Sequence, residues 1–79
     1  MMLNKDLKPK LIKRLCKESG VEPTDEVMEL MMSFPYRVIA KPLVISDSKT
    51  GRFTYQQIAN NFNLSHRQVA YMISQEIYD

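Results

Sequence analysis

Thr54 and Gln57 stand three residues apart, and Ser65 and Gln68 repeat that spacing a little further along the chain. The pattern lets a hydroxyl accept from the third backbone N–H of a helix while the amide accepts from the cap's own N–H, so each pair starts a helix. An apolar residue precedes each cap and another follows it by four: Phe53 with Ile58, and Leu64 with Val69. Such pairs fix the angle at which the chain comes into a helix. Helices are therefore expected over about residues 55–62 and 66–77, joined by Asn63, Leu64 and Ser65. So short a turn makes the two cross steeply, and Ala59 is small enough to sit at the crossing. Ile58, Phe62, Leu64, Val69, Met72 and Ile73 supply the apolar side chains that close the unit. Asn63 must leave the first helix through positive φ, which asparagine tolerates best among residues other than glycine.

Upstream, Leu3, Leu7, Leu11 and Leu15 recur every four residues, and Ile12 and Cys16 widen their stripe. That period predicts an amphipathic helix over residues 6–19, capped by Asp6, with Pro9 in its first turn and Gly20 as its stop. Lys10, Lys13, Arg14 and Lys17 run along a separate line, read as a solvated face or else as a second phosphate or partner contact. Pro23, Thr24, Asp25 and Glu26 signal another helix start, with Val27, Leu30, Met31 and Phe34 as its apolar face and Pro35 as its limit. Residues 36–45 read as a helix interrupted at Pro42 or as an extended segment. Residues 46–51, Ser-Asp-Ser-Lys-Thr-Gly, read as a loop. The expected fold is all-α, with one or more leading helices within residues 24–45.

The chain has 79 residues, 44% of them apolar, which points to one domain over residues 1–79. A chain of this size buries only about 60% of its unfolded surface, enough for one thin core but not for a deep catalytic cleft. No nucleophile–base pair is visible, and an enzyme is not expected. One cysteine and one histidine exclude a disulfide framework and argue against a metal site. Cys16 reads as a core thiol, and His66 as a solvated or phosphate-adjacent side chain. The segment 47–51 lacks the glycine spacing of a phosphate loop, so neither nucleotide, cofactor nor small-molecule substrate is expected. The longest apolar runs are too short to span a bilayer, and the first residues lack the pattern of a secretion signal, so a cytoplasmic protein is expected. The six methionines read as adaptable packing, with a surplus that a dimer or partner surface would cover. Charge is uneven. Residues 1–20 carry six basic and two acidic groups, residues 21–34 four acidic and no basic ones, residues 35–52 four basic and one acidic, and residues 53–79 one basic and two acidic.

The window FTYQQIANNFNLSHRQVAYM resembles the helix-turn-helix motif of bacterial and phage DNA-binding proteins. Counted from Tyr55, it has alanine at the fifth position and apolar residues at the fourth, eighth, tenth, fifteenth and eighteenth. It departs at the ninth, where the family commonly has glycine and this chain has Asn63. The resemblance implies a three-helix, homeodomain-like core at the C-terminal side, without a wing, and the amphipathic N-terminal helix is an addition to it. It implies that the second helix of the motif enters the major groove of double-stranded DNA. Ser65, His66, Arg67, Ala70, Tyr71 and Ser74 would then be its outward residues, with Gln68 partly turned inward. Arg67 suits a guanine edge, Gln68 an adenine edge and Ala70 a thymine methyl. Thr54, Tyr55 and Gln56 would meet phosphates, as would Lys49 and Arg52 in the loop before them. A homodimer through the N-terminal helices would double the contacts on a pseudo-palindromic site. The implied role is a small transcriptional regulator or a DNA-recognition protein of a phage or mobile element. The competing expectation is a protein-interaction module of a transcription or packaging complex that never reads bases.

Overall fold

The computed structural model describes residues 4–78, and the side chains of residues 4–75; Leu3 lies outside them. Five helices follow one another: α1 (Asn4–Ser19), α2 (Asp25–Met32), α3 (Tyr36–Thr50), α4 (Tyr55–Phe62) and α5 (His66–Tyr78). Among the described residues there is no strand, so the protein is all-α. The chain gathers into two compact units, Met1–Ala40 and Lys41–Asp79, with the boundary inside α3.

In the first unit α1 packs on α2. Leu11, Ile12 and Cys16 are buried, and Leu7 and Leu15 half-buried, along the expected stripe. The start differs from expectation. The helix already includes Asn4, so Asp6 lies in its first turn instead of capping it, where its charge still favours the positive end of the helix dipole. Pro9 is consequently interior, and the Lys5 carbonyl four residues back loses the N–H it would have received. At the other end Gly20 takes φ +72°, the Val21 N–H donates to the Cys16 carbonyl at 2.8 Å, and the Gly20 N–H to that of Lys17 at 3.4 Å. These two bonds satisfy two of the last four carbonyls of α1.

Thr24 caps α2, its hydroxyl accepting from the Val27 N–H at 3.3 Å, with Asp25 and Glu26 in the first turn. No residue of α2 is fully buried. Met31 is half-buried, its Sδ accepting from the Cys16 thiol at 3.7 Å, whereas Met32 is exposed. Lys8 of α1 reaches the other end of α2, donating to the carbonyl of Met32 at 2.8 Å and to that of Phe34. A cation there satisfies carbonyls the helix cannot use and complements its negative end.

The α3 helix corrects two sequence expectations. Residues 36–45 are neither extended nor broken at Pro42, and residues 46–50 are helical instead of a loop. Pro42 forfeits one bond, to the Val38 carbonyl, but Leu43, Val44 and Asp47 are buried at helical spacing in the second unit and hold the helix beyond it. The Thr50 hydroxyl donates to the Asp47 carbonyl at 2.8 Å, and Gly51 ends the helix at φ +71°. Among the described residues no buried side-chain nitrogen or oxygen lacks a hydrogen-bond partner.

Burial pushes the Tyr36 phenol up from 10.0 to about 12. The unfolded chain then loses this proton before the folded one does, so the associated stability is complete below about pH 10 and is lost as pH rises from there through about 12. Tyr36→Phe is expected to remove a tyrosinate absorbance phase near pH 12 and to flatten the alkaline fall in stability. Loss of a phase near pH 10 instead, with the alkaline fall in stability unchanged, would show that the phenol is solvated.

Candidate nucleic-acid interface

Both reciprocal caps form in the second unit. The Gln57 N–H donates to the Thr54 hydroxyl at 3.2 Å and the Thr54 N–H to Gln57 Oε1 at 2.9 Å. Likewise the Gln68 N–H donates to the Ser65 hydroxyl at 3.1 Å, and the Ser65 N–H to Gln68 Oε1 at 2.9 Å. Between the two helices Asn63 adopts φ 52°, ψ 45°, and the Leu64 N–H donates back to the Ala59 carbonyl at 2.9 Å. The left-handed residue reverses the chain while satisfying the end of α4.

The α4 and α5 helices pack together. Ile58, Ala59, Phe62, Val69, Met72 and Ile73 are buried and Leu64 half-buried, which is the apolar set expected from the sequence. Their opposite sides carry the residues proposed for contact. Thr54, Tyr55, Gln56, Ser65, His66, Arg67, Tyr71 and Ser74 are exposed, whereas Gln68 and Ala70 are half-buried. The Tyr55 and His66 rings lie 5.8 Å apart, tilted by 48°, so the first residues of α4 and α5 share one surface. Neither helix has an acidic residue in its first turn, in contrast to α2. Two positive helix ends are thus left uncompensated by carboxylates beside one pair of rings, a setting that favours an anion.

Individual side chains are further constrained. With Oε1 of Gln68 held by the Ser65 N–H, its NH2 is the group able to reach a ligand while the cap stands. The Gln75 amide donates to the Tyr71 hydroxyl at 3.2 Å, so that the phenol's own proton is directed to another acceptor. The Gln56 amide donates to Asn60 Oδ1 at 3.1 Å. Gln75 and Asn60 were not among the residues singled out from sequence, although their i, i+4 spacing to Tyr71 and Gln56 was visible there. Arg52 is exposed in the connection between α3 and α4, but Lys49 belongs to the last turn of α3 and not to a loop.

No family model, curated protein or solved structure matches this chain. What residues 49–75 can do chemically follows from their own geometry. Among the described residues no group of three histidine, cysteine, aspartate or glutamate side chains could hold a metal ion. No described helix is long and apolar enough to cross a membrane. The interface offers hydrogen-bond donors, one arginine on the α5 side and exposed rings, and so suits a polyanion bearing flat polar edges.

Proposed function

We propose that the chain binds double-stranded DNA sequence-specifically, with α4 and α5 acting as a helix-turn-helix and the second half of α3 as the remaining helix of a three-helix core. The observation that carries this reading is the meeting of two reciprocally capped, acid-free helix starts at Tyr55 and His66, across a turn closed by a left-handed asparagine. In this reading α5 lies in the major groove. Arg67 bridges a guanine edge, Ala70 touches a thymine methyl, and Ser65, His66, Tyr71, Ser74 and the Gln68 amide complete the base-facing set. Thr54, Tyr55 and Gln56 hold the backbone, and Lys49 and Arg52 add charge pairing to phosphate. The protein would serve in the cytoplasm as a regulator or as a recognition component of a phage or mobile element, without catalysis. The competing use as a protein-docking module draws its support from α5, where Arg67 is the only lysine or arginine.

Arg67→Ala is expected to lower the ratio of preferred to random duplex affinity by a factor corresponding to about 1–3 kcal/mol. Arg52→Ala should weaken both duplexes alike and lower the salt slope by about one. Titrations of both variants at several salt concentrations distinguish these effects. A reversed pattern would contradict the placement of α5 in the groove, and no effect from either substitution would favour protein docking.

A further inference from the structure

We propose that residues 4–40 form a homodimer contact in which the basic line of α1 in one copy lies along the acidic, apolar face of α2 in the second copy, and the converse by twofold symmetry. The pairing concerns the first unit and stands whether or not α4 and α5 bind DNA.

The α2 helix leaves its apolar side chains uncovered. Leu30 is 62% exposed, and beyond the helix Phe34 is 42% exposed. An open cleft of about 370 Å³ runs along one side of α2, lined by Glu26, Glu29, Leu30 and Ser33. Residues 21–34 carry four acidic groups and no basic one, and residues 1–20 carry six basic and two acidic. Among the described residues Asp25, Glu26 and Glu29 of α2 make no ion pair with α1, although the two helices pack together. Arg14 pairs with Glu18, inside α1, at 3.7 Å. Lys10, Lys13 and Lys17 are exposed and make no ion pair, and the same holds for Glu26 and Glu29.

Charge selects both the occupant and the arrangement. A second α2 facing the first would set Glu26 and Glu29 of one copy against the same carboxylates of the other, and like charges brought together oppose association. A second α1 brings Lys10, Lys13 and Lys17, whose ammonium groups meet the carboxylates while their aliphatic stems cover Leu30. Because one chain carries both the cationic and the anionic helix, a twofold axis makes the contact twice and closes it without leaving an open end. Each α1 then lies between its own α2 and that of the other copy, the neighbour relation of an antiparallel four-helix bundle.

Sedimentation equilibrium of the full chain, from micromolar to submillimolar concentration, tests this with two charge-reversed variants, Glu26→Lys/Glu29→Lys and Lys10→Glu/Lys13→Glu. The wild type is expected to dimerise, less tightly as salt is added. Each variant alone should dimerise about tenfold more weakly or worse, since each homodimer opposes like charges. An equimolar mixture of the two should recover the dimer, because both contacts of the mixed pair again join opposite charges. Circular dichroism monitors helicity; if the α2 variant loses helix, Glu29→Lys mixed with Lys13→Glu repeats the comparison. A wild type that stays monomeric throughout overturns the proposal and leaves the α2 face to a foreign basic helix. Variants that dimerise like the wild type, or a mixture that fails to recover the dimer, overturn it equally.

Discussion

Phe62→Ala is expected to destabilise the second unit by about 3–5 kcal/mol, the range for removing a large buried aromatic side chain. Phe62 is the last residue of α4, is 2% exposed, and stands immediately before the left-handed Asn63 that turns the chain toward α5. Removing the ring leaves a void that neighbours can fill only by moving a helix end fixed by the bond from the Leu64 N–H to the Ala59 carbonyl. A small domain has only about 5–15 kcal/mol in total, so the variant should be substantially unfolded in mild urea. Urea unfolding followed by circular dichroism checks this, with Tyr55→Ala, at an exposed position of the same helix, as the comparison. A loss below about 1 kcal/mol for Phe62→Ala would mean that the site collapses freely and that α4 is not locked against α5.

Ala59→Leu carries the second large effect, an expected loss of about 1–3 kcal/mol from overpacking. Ala59 is fully buried, and its carbonyl closes the turn. Three additional carbons at this position must displace α5 or force a strained rotamer, since protein interiors hold few voids of that size. The same change at Ala70, which is half-buried, should cost less. Equal thermal unfolding of Ala59→Leu and the parent would show that the two helices do not approach closely at this residue. That outcome would remove the packing that orients one capped helix against the other.

The parts of the molecule legible in the sequence are those decided by a few neighbouring residues. Thr54 with Gln57 and Ser65 with Gln68 cap their helices as read, because each bond joins residues three apart and needs no distant partner. Asn63 and Gly20 take positive φ for the same local reason. The end of α3 was not legible. Its serines, threonine and glycine have turn-forming composition, whereas the burial of Asp47 among them is a tertiary property that local propensity does not carry. The expected cap at Asp6 failed because Asn4 and Lys5 continue the helix without a breaker. The contact of Lys8 with the end of α2 spans more than twenty residues and leaves no periodic trace. At the candidate interface the exposed positions of α4 and α5 followed from helical spacing, whereas the proximity of Tyr55 to His66 required the crossing itself.

Selection from a random duplex library by the full-length chain, run at two salt concentrations, tests the central claim of sequence-specific DNA recognition most directly. The expected result is enrichment of a short shared sequence at both concentrations, with overall affinity falling steeply as salt rises because phosphate contacts release counterions. Specific sites should be retained at least about a thousandfold more tightly than random duplex. Salt-sensitive retention without any shared sequence, or no retention at either concentration, would contradict base reading by α5.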